Sequence, residues 1–228
     1  MQIFKSLITL HSRWFGTYEI EDPRPIAANA PYTYFVPSEH VISEVQPGDL
    51  VKAIFRPIPG NREWDAERMW ITVLSVDSEE LTGSLDNEPL DFPQLRHRAT
   101  VRVPRTHVID VMWGEGHIRP EQPPYREYWE RCLVDACVVD GRSHVDYLYR
   151  ETPDMGSDGD KYPDSGWRIR GTEGAIAEDE RLEKTAEYIA LGAVLNRNDS
   201  WLSLIDEATG NAFQWNDDLQ GFVKTSRD

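Results

Sequence analysis

The longest strand signal in the chain is Arg68-Met69-Trp70-Ile71-Thr72-Val73-Leu74-Ser75-Val76. Met69, Ile71 and Val73 fall on one side of such a strand, and Trp70, Thr72 and Leu74 on the other. A two-sided strand of that length needs neighbours in a sheet. They follow at short intervals: Asp49–Phe55 after a Pro47-Gly48 turn, Leu81–Leu85 after a turn at Asp77–Glu80, then Thr100–Val103 and His107–Val111. Short antiparallel strands at this spacing predict a curved antiparallel sheet or a small β-barrel. Ahead of it, Pro23, Pro25, Pro31 and Pro37 make residues 20–37 read as extended, non-helical chain.

Gly114, Gly116, Pro120, Pro123 and Pro124 mark residues 114–125 as a linker. The division expected is 1–115 and 120–228. Beyond the linker, Tyr125, Tyr128, Trp129 and Cys132 share one face of a helix over 125–134. Strands are expected at Val145–Arg150 and Trp167–Gly171, separated by a polar loop over Asp154–Asp164. The run 173–187 is rich in Glu, Ala, Leu and Lys and suits a helix. A short helix follows at Leu191–Asn196. Leu202–Ile205 and Asn211–Trp215 read as paired strands, ending in a turn at Asn216–Asp218 and a last piece at Gly221–Val223. The fold class is therefore α+β, with a β-rich first domain and a mixed α/β second module.

The 228 residues carry 24 Lys and Arg against 40 Asp and Glu, a net charge of −16. Nucleic acid and anionic membranes repel such a chain, so neither is expected as a partner. A basic protein surface is the favoured electrostatic partner, beside solubility alone as the reason for the charge. The apolar start Met1–His11 is short and lacks a small-residue cleavage site, so it does not read as a signal peptide. No run approaches a membrane span. A cytoplasmic location is expected, with Cys132 and Cys137 as buried, reduced thiols.

No catalytic or cofactor motif emerges. The histidines, among them His117 and His144, are scattered and fit no H-E-x-x-H or zinc spacing. There is no G-x-S-x-G and no Gly-rich phosphate loop. Asp154, Asp158, Asp160 and Asp164 crowd four carboxylates together, but Tyr162 and Pro163 stand where a calcium loop needs a ligand and a glycine. These acids read as a solvated loop or as contacts for Lys and Arg of a partner. Trp201 and Trp215 each adjoin a polar turn and are core anchors or interface residues. No catalytic residue, cofactor or metal is expected.

Two stretches resemble known families. The segment opening Asp164-Ser165-Gly166-Trp167-Arg168, with Leu191–Asn196, Ser200–Asp206 and Gly210–Phe213, is similar to the Imm33-like (DUF2185) family, assigned to bacterial toxin immunity. In that pattern residues 173–187 form an acidic, partly irregular connector before a strand at Glu187–Ala190. Val51–Phe55, Glu67–Ile71, Leu81–Pro89 and Val108–Asp110 resemble the DUF2314 domain over residues 23–113, a family without established chemistry.

The resemblance implies a non-enzymatic protein that binds a cognate toxin and covers its active surface. The alternative is a housekeeping or regulatory protein-binding module. Residues 119–228 hold 13 basic and 23 acidic residues, a charge of −10 against −6 for residues 1–118. The binding face is accordingly expected on the second module. Its candidate contacts are Asp154, Asp158, Asp160, Asp164, Glu178, Asp179 and Glu180, with Trp201 as an anchor.

Overall fold

The computed structural model describes residues 17–58, 64–90, 92–121, 125–156 and 159–226. Asp158 and the Met1–His11 start lie outside these residues. The chain divides into two compact units, the first formed by residues 1–29 and 34–124 and the second by 30–33 and 125–228.

In the first unit, β1 (Thr17–Ile20), β2 (Leu50–Ile58), β3 (Glu67–Val76), β4 (Glu80–Leu85) and β5 (Thr100–Pro104) pair antiparallel in that order. Strand β6 (Asp110–Met112) joins β2 beside β1. The result is the curved, barrel-like antiparallel sheet expected from the strand spacing. Its inner face buries Val51, Ala53, Phe55, Met69, Ile71, Val73, Leu81, Leu85, Val101 and Val103. The side predicted for Met69, Ile71 and Val73 is thus the core side.

A bulge interrupts β3. Val73 pairs with Gly83 and Ser75 with Thr82, leaving Leu74 as the extra, exposed residue. One inserted residue reverses the inward parity, so Val76 rather than Ser75 packs on the core. Gly83 makes the close strand crossing here. A Cβ on it would meet Ile71 Cγ2 at 2.4 Å and the Thr72 carbonyl oxygen at 2.5 Å.

The proline-rich lead-in is not wholly extended. Residues Arg24–Asn29 form a short helix, α1, and Glu39–Ser43 a second, α2, capped by Ser38. Pro25 sits in the first turn of α1, where no backbone N–H is required, so it is compatible with the helix it seemed to forbid.

The second unit holds another six-stranded sheet, in the order β10 (Glu187–Ala190), β7 (Arg131–Val134), β9 (Asp164–Arg170), β8 (Tyr147–Arg150), β11 (Ala212–Asn216) and β12 (Gly221–Thr225). Strands β7 and β9 run parallel and the other pairs antiparallel. The helices are short: α3 (Ala136–Val139), α4 (Glu173–Arg181) and α5 (Leu191–Leu195). The mixed α+β architecture agrees with expectation, and two local readings do not.

The helix expected over 125–134 is absent. Residues 125–130 are irregular, and Arg131–Val134 is strand β7, wedged between β10 and β9. Cys132 and Val134 are buried alternately, and that period of two outweighs the helical spacing of Tyr125, Tyr128, Trp129 and Cys132. Residues Leu202–Leu204 are a 3-10 turn rather than a strand. The partners of β11 are β8 and β12. Residues 173–181 are helical, as their composition suggests, while 182–186 are irregular and lead into a strand at Glu187–Ala190, as the resemblance implied.

Candidate functional site

Alternation along the second sheet sorts its side chains onto two faces. Cys132, Val134, Leu148, Trp167, Ile169 and Phe213 enter the buried cluster, with α3, α5 and Trp201. The intervening residues take the opposite face, where Leu133, Arg168 and Tyr149 lie side by side in register, next to Arg170 and Tyr147.

Arg168 is the hub of that face, and all five of its N–H donors are engaged. Nε donates to Glu151 Oε1 at 2.6 Å, and Nη1 to Asp164 Oδ1 and the Trp167 carbonyl at 3.0 and 3.2 Å. Nη2 donates to Asp164 Oδ2 and Asp154 Oδ1 at 2.8 and 3.0 Å. A straight strand would hold residues 164 and 168 roughly 13 Å apart. Gly166, at φ +79°, folds the strand back so that they meet. A Cβ there would lie 2.1 Å from the Glu151 carbonyl oxygen, so only glycine fits. Burial raises the Asp164 pKa. Hydrogen bonds from Arg168 and from the Gly166 and Met155 amides outweigh it and bring the group to about 2.

A second hub stands behind the turn after α3. The Arg142 guanidinium pairs with Asp179, with Asp140 at 3.1 Å and with Glu178 at 3.3 Å. Asp179 also accepts the Cys137 amide at 2.8 Å, tying α4 to α3. Lys184 pairs with Asp140.

The expected partner contacts therefore separate. Asp164 and Asp179, with side chains 1% and 8% exposed, are interior groups held by Arg168 and Arg142. Trp201 is 0% exposed, stacks edge-on against Trp167 at 5.8 Å and donates Nε1–H to the Asn198 carbonyl; it is a core anchor. Asp154 keeps 73% of its side chain exposed and Glu178 48%, and Asp160 and Glu180 are exposed too. Asp158 lies outside the described residues. Sequence reading missed both arginine hubs. Their only signal is i, i+4 spacing of Asp164 and Arg168, which has no meaning in a regular strand.

Beside the second hub opens a cleft of ≈ 510 Å³, absent from the sequence reading. The turn Gly141–His144 forms one wall and Asn196–Asn198 another, with Thr172 at the head of α4 and Val138 beneath.

No group of three or more His, Cys, Asp or Glu side chains suited to a metal occurs among the described residues. No helix among them is long and apolar enough to cross a membrane.

The chain is thus a two-unit α+β protein whose second sheet packs one face on helices and turns an ion-pair network to the other. Residues 132–225 match the Immunity protein Imm33 domain, and residues 26–119 match an uncharacterized protein family conserved in bacteria, DUF2314. The chain carries a DUF2314 domain followed by an Imm33 domain, which supports an immunity-type role. Neither the curated proteins nor the solved structures include a match.

Proposed function

We propose that this chain is a non-enzymatic bacterial immunity protein that binds a cognate toxin and occludes its active surface. The observation that carries the reading is the Imm33 match over residues 132–225, the part of the chain with the larger excess of acids. Many toxins engage nucleic acid through basic sites. An acidic folded surface occupies such a site and steers the encounter from a distance. The groups fitted to that task are the exposed Asp154, Asp160, Glu178 and Glu180. Binding of this kind needs no cofactor and takes place in the cytoplasm.

The test is genetic and physical. The reading frame beside this gene should encode a toxin. Expression of this chain should rescue cells from it, and the two proteins should co-purify. Absence of rescue by a stably folded chain rejects the proposal. The DUF2314 domain, which has no assigned role, favours a second reading as a regulatory binding module. That module would bind another protein and give no protection.

A further inference from the structure

The cleft beside α4 is chemically unlike the rest of its module. Residues 119–228 carry 23 acids against 13 bases, yet no Asp or Glu lines it. Arg142, Ser143, His144, Thr172, Arg197 and Asn198 do.

The hydrogen-bond inventory of these groups is lopsided. Ser143 Oγ is used, accepting the Thr172 amide at 2.9 Å and donating to the His144 carbonyl at 2.9 Å. The Asn198 Oδ1 atom is used as well, by Ser200. Its NH₂ group has no partner among the described residues, and neither has the Arg197 guanidinium. Thr172 Oγ1 stands 3.5 Å from Ser143 Oγ, too far for an O–H···O bond, and keeps its own proton to give. His144 adds a ring nitrogen, 3.6 Å from Asp146. Arg142 is fixed from behind by three carboxylates and serves as a rigid wall. Among the described residues that line the cleft, the unspent groups include the Arg197 guanidinium and the neutral donors of Thr172 and Asn198, with no carboxylate beside them. A group with several acceptor oxygens and negative charge complements that set.

We infer that this cleft binds a small oxyanion-bearing molecule, with Arg197 as the charged contact and Thr172 and Asn198 as neutral donors. The ligand is of phosphate-ester or carboxylate class, and a cleft of this size holds an organic molecule larger than the bare anion. This binding is separate from toxin neutralisation and stands or falls without it. The protein's net negative charge works against an incoming anion, but at physiological salt it is screened beyond about 8 Å, so short contacts decide.

The experiment is an amide chemical-shift titration of the full chain with inorganic phosphate, and in parallel with acetate, at constant ionic strength. Saturable shifts confined to residues 141–144, 172 and 196–198 are expected. The more tightly bound anion identifies the ligand class. Arg197→Ala should weaken binding about tenfold or more, while leaving the thermal midpoint unchanged, because the side chain is exposed. Arg197→Lys should retain part of the affinity, and Lys224→Ala on β12 should leave it intact. Absence of saturation with both anions overturns the inference. So does equal weakening by Lys224→Ala and Arg197→Ala, which would mean that the anions bind without a site.

Discussion

His117 Nδ1 stands 2.9 Å from both carboxylate oxygens of Asp49, a buried residue at the mouth of β2. The same carboxylate accepts the Gln46 amide at 2.9 Å and the Gly114 amide at 2.8 Å. One side chain thus gathers the turn before β2 and the chain after β6. Asp49→Ala would strip acceptors from several groups at once, and a loss of about 2–4 kcal/mol is expected. His117→Ala should cost less, because the two amides keep their acceptor. Urea denaturation of the two single variants and the double variant checks this. Additive losses would mean that the pair is not coupled.

Arg168 and Asp164 form a buried pair, and removing one member leaves the other's charge uncompensated. Arg168→Ala should destabilise the second unit by about 3–5 kcal/mol. Gly166→Ala forces a left-handed backbone and a clash with Glu151, and should cost more than about 3 kcal/mol without altering any charge. Tryptophan fluorescence reports on both, since Trp167 and Trp201 lie in the adjoining core. A folded, fully stable Gly166→Ala variant would contradict the geometry.

The low pKa of Asp164 links stability to pH. Its ordinary value is 3.8 and its folded value about 2. A depressed carboxyl stabilises fully above the ordinary value, and that contribution fades as pH falls through the folded one. The second unit should therefore lose about 2 kcal/mol between pH 4 and 2 from this group. Asp164→Asn should be weaker at pH 7 and show a flatter acid limb. An unchanged acid limb would assign the effect to other groups.

The thiols should be silent. Burial pushes Cys132 up to about 12, and burial together with Asp179 pushes Cys137 up to about 11. Both lie far above neutral pH, so hardly any thiolate exists to react. An aromatic disulfide reagent at pH 8 should modify neither in the folded protein and both in denaturant. Rapid modification of the folded chain would refute the burial. Cys132→Ala and Cys137→Ala should each cost roughly 1–2 kcal/mol and leave partner binding intact.

For the toxin surface, Asp154→Asn, Asp160→Asn and Glu180→Gln combined should slow association several-fold at low salt, with the difference shrinking as salt rises. Trp201→Ala should instead lose about 3–5 kcal/mol of stability with no change in on-rate while folded. An unchanged on-rate in the triple variant would move the interface elsewhere.

The first sheet was legible because its strands are local and their sides differ in character. Met69, Ile71 and Val73 declare a core face, and the turns at Pro47-Gly48 and Asp77–Glu80 punctuate it. The bulge at Leu74 escaped, since an inserted residue leaves no mark until the partner strand is known, and so did the edge strand β1 and the short helix α1. The second unit was harder to read because β7 is four residues long and owes its state to parallel pairing with β9, a contact more than thirty residues away in sequence. The acidic residues looked alike in sequence. Whether Asp164 or Asp160 faces water depends on the backbone fold at Gly166, which brings Arg168 onto Asp164.

The second unit is not one stretch of polypeptide. Asn196 Oδ1 accepts the Tyr32 amide at 2.9 Å, its Nδ2 donates to Thr33 Oγ1 at 2.6 Å, and the Tyr32 hydroxyl donates to Asp199 at 2.7 Å. Gly192 lies so near the Tyr32 carbonyl that a Cβ would come within 2.7 Å of it. A truncation that begins at residue 120, or at the edge of the Imm33 match, discards this four-residue piece. Such a fragment would expose the side of α5 and leave both ends of the Asn196 amide to water. Anyone wishing to study the immunity domain in isolation must carry Ala30–Thr33 along, as a fused or added peptide, or work with the whole chain.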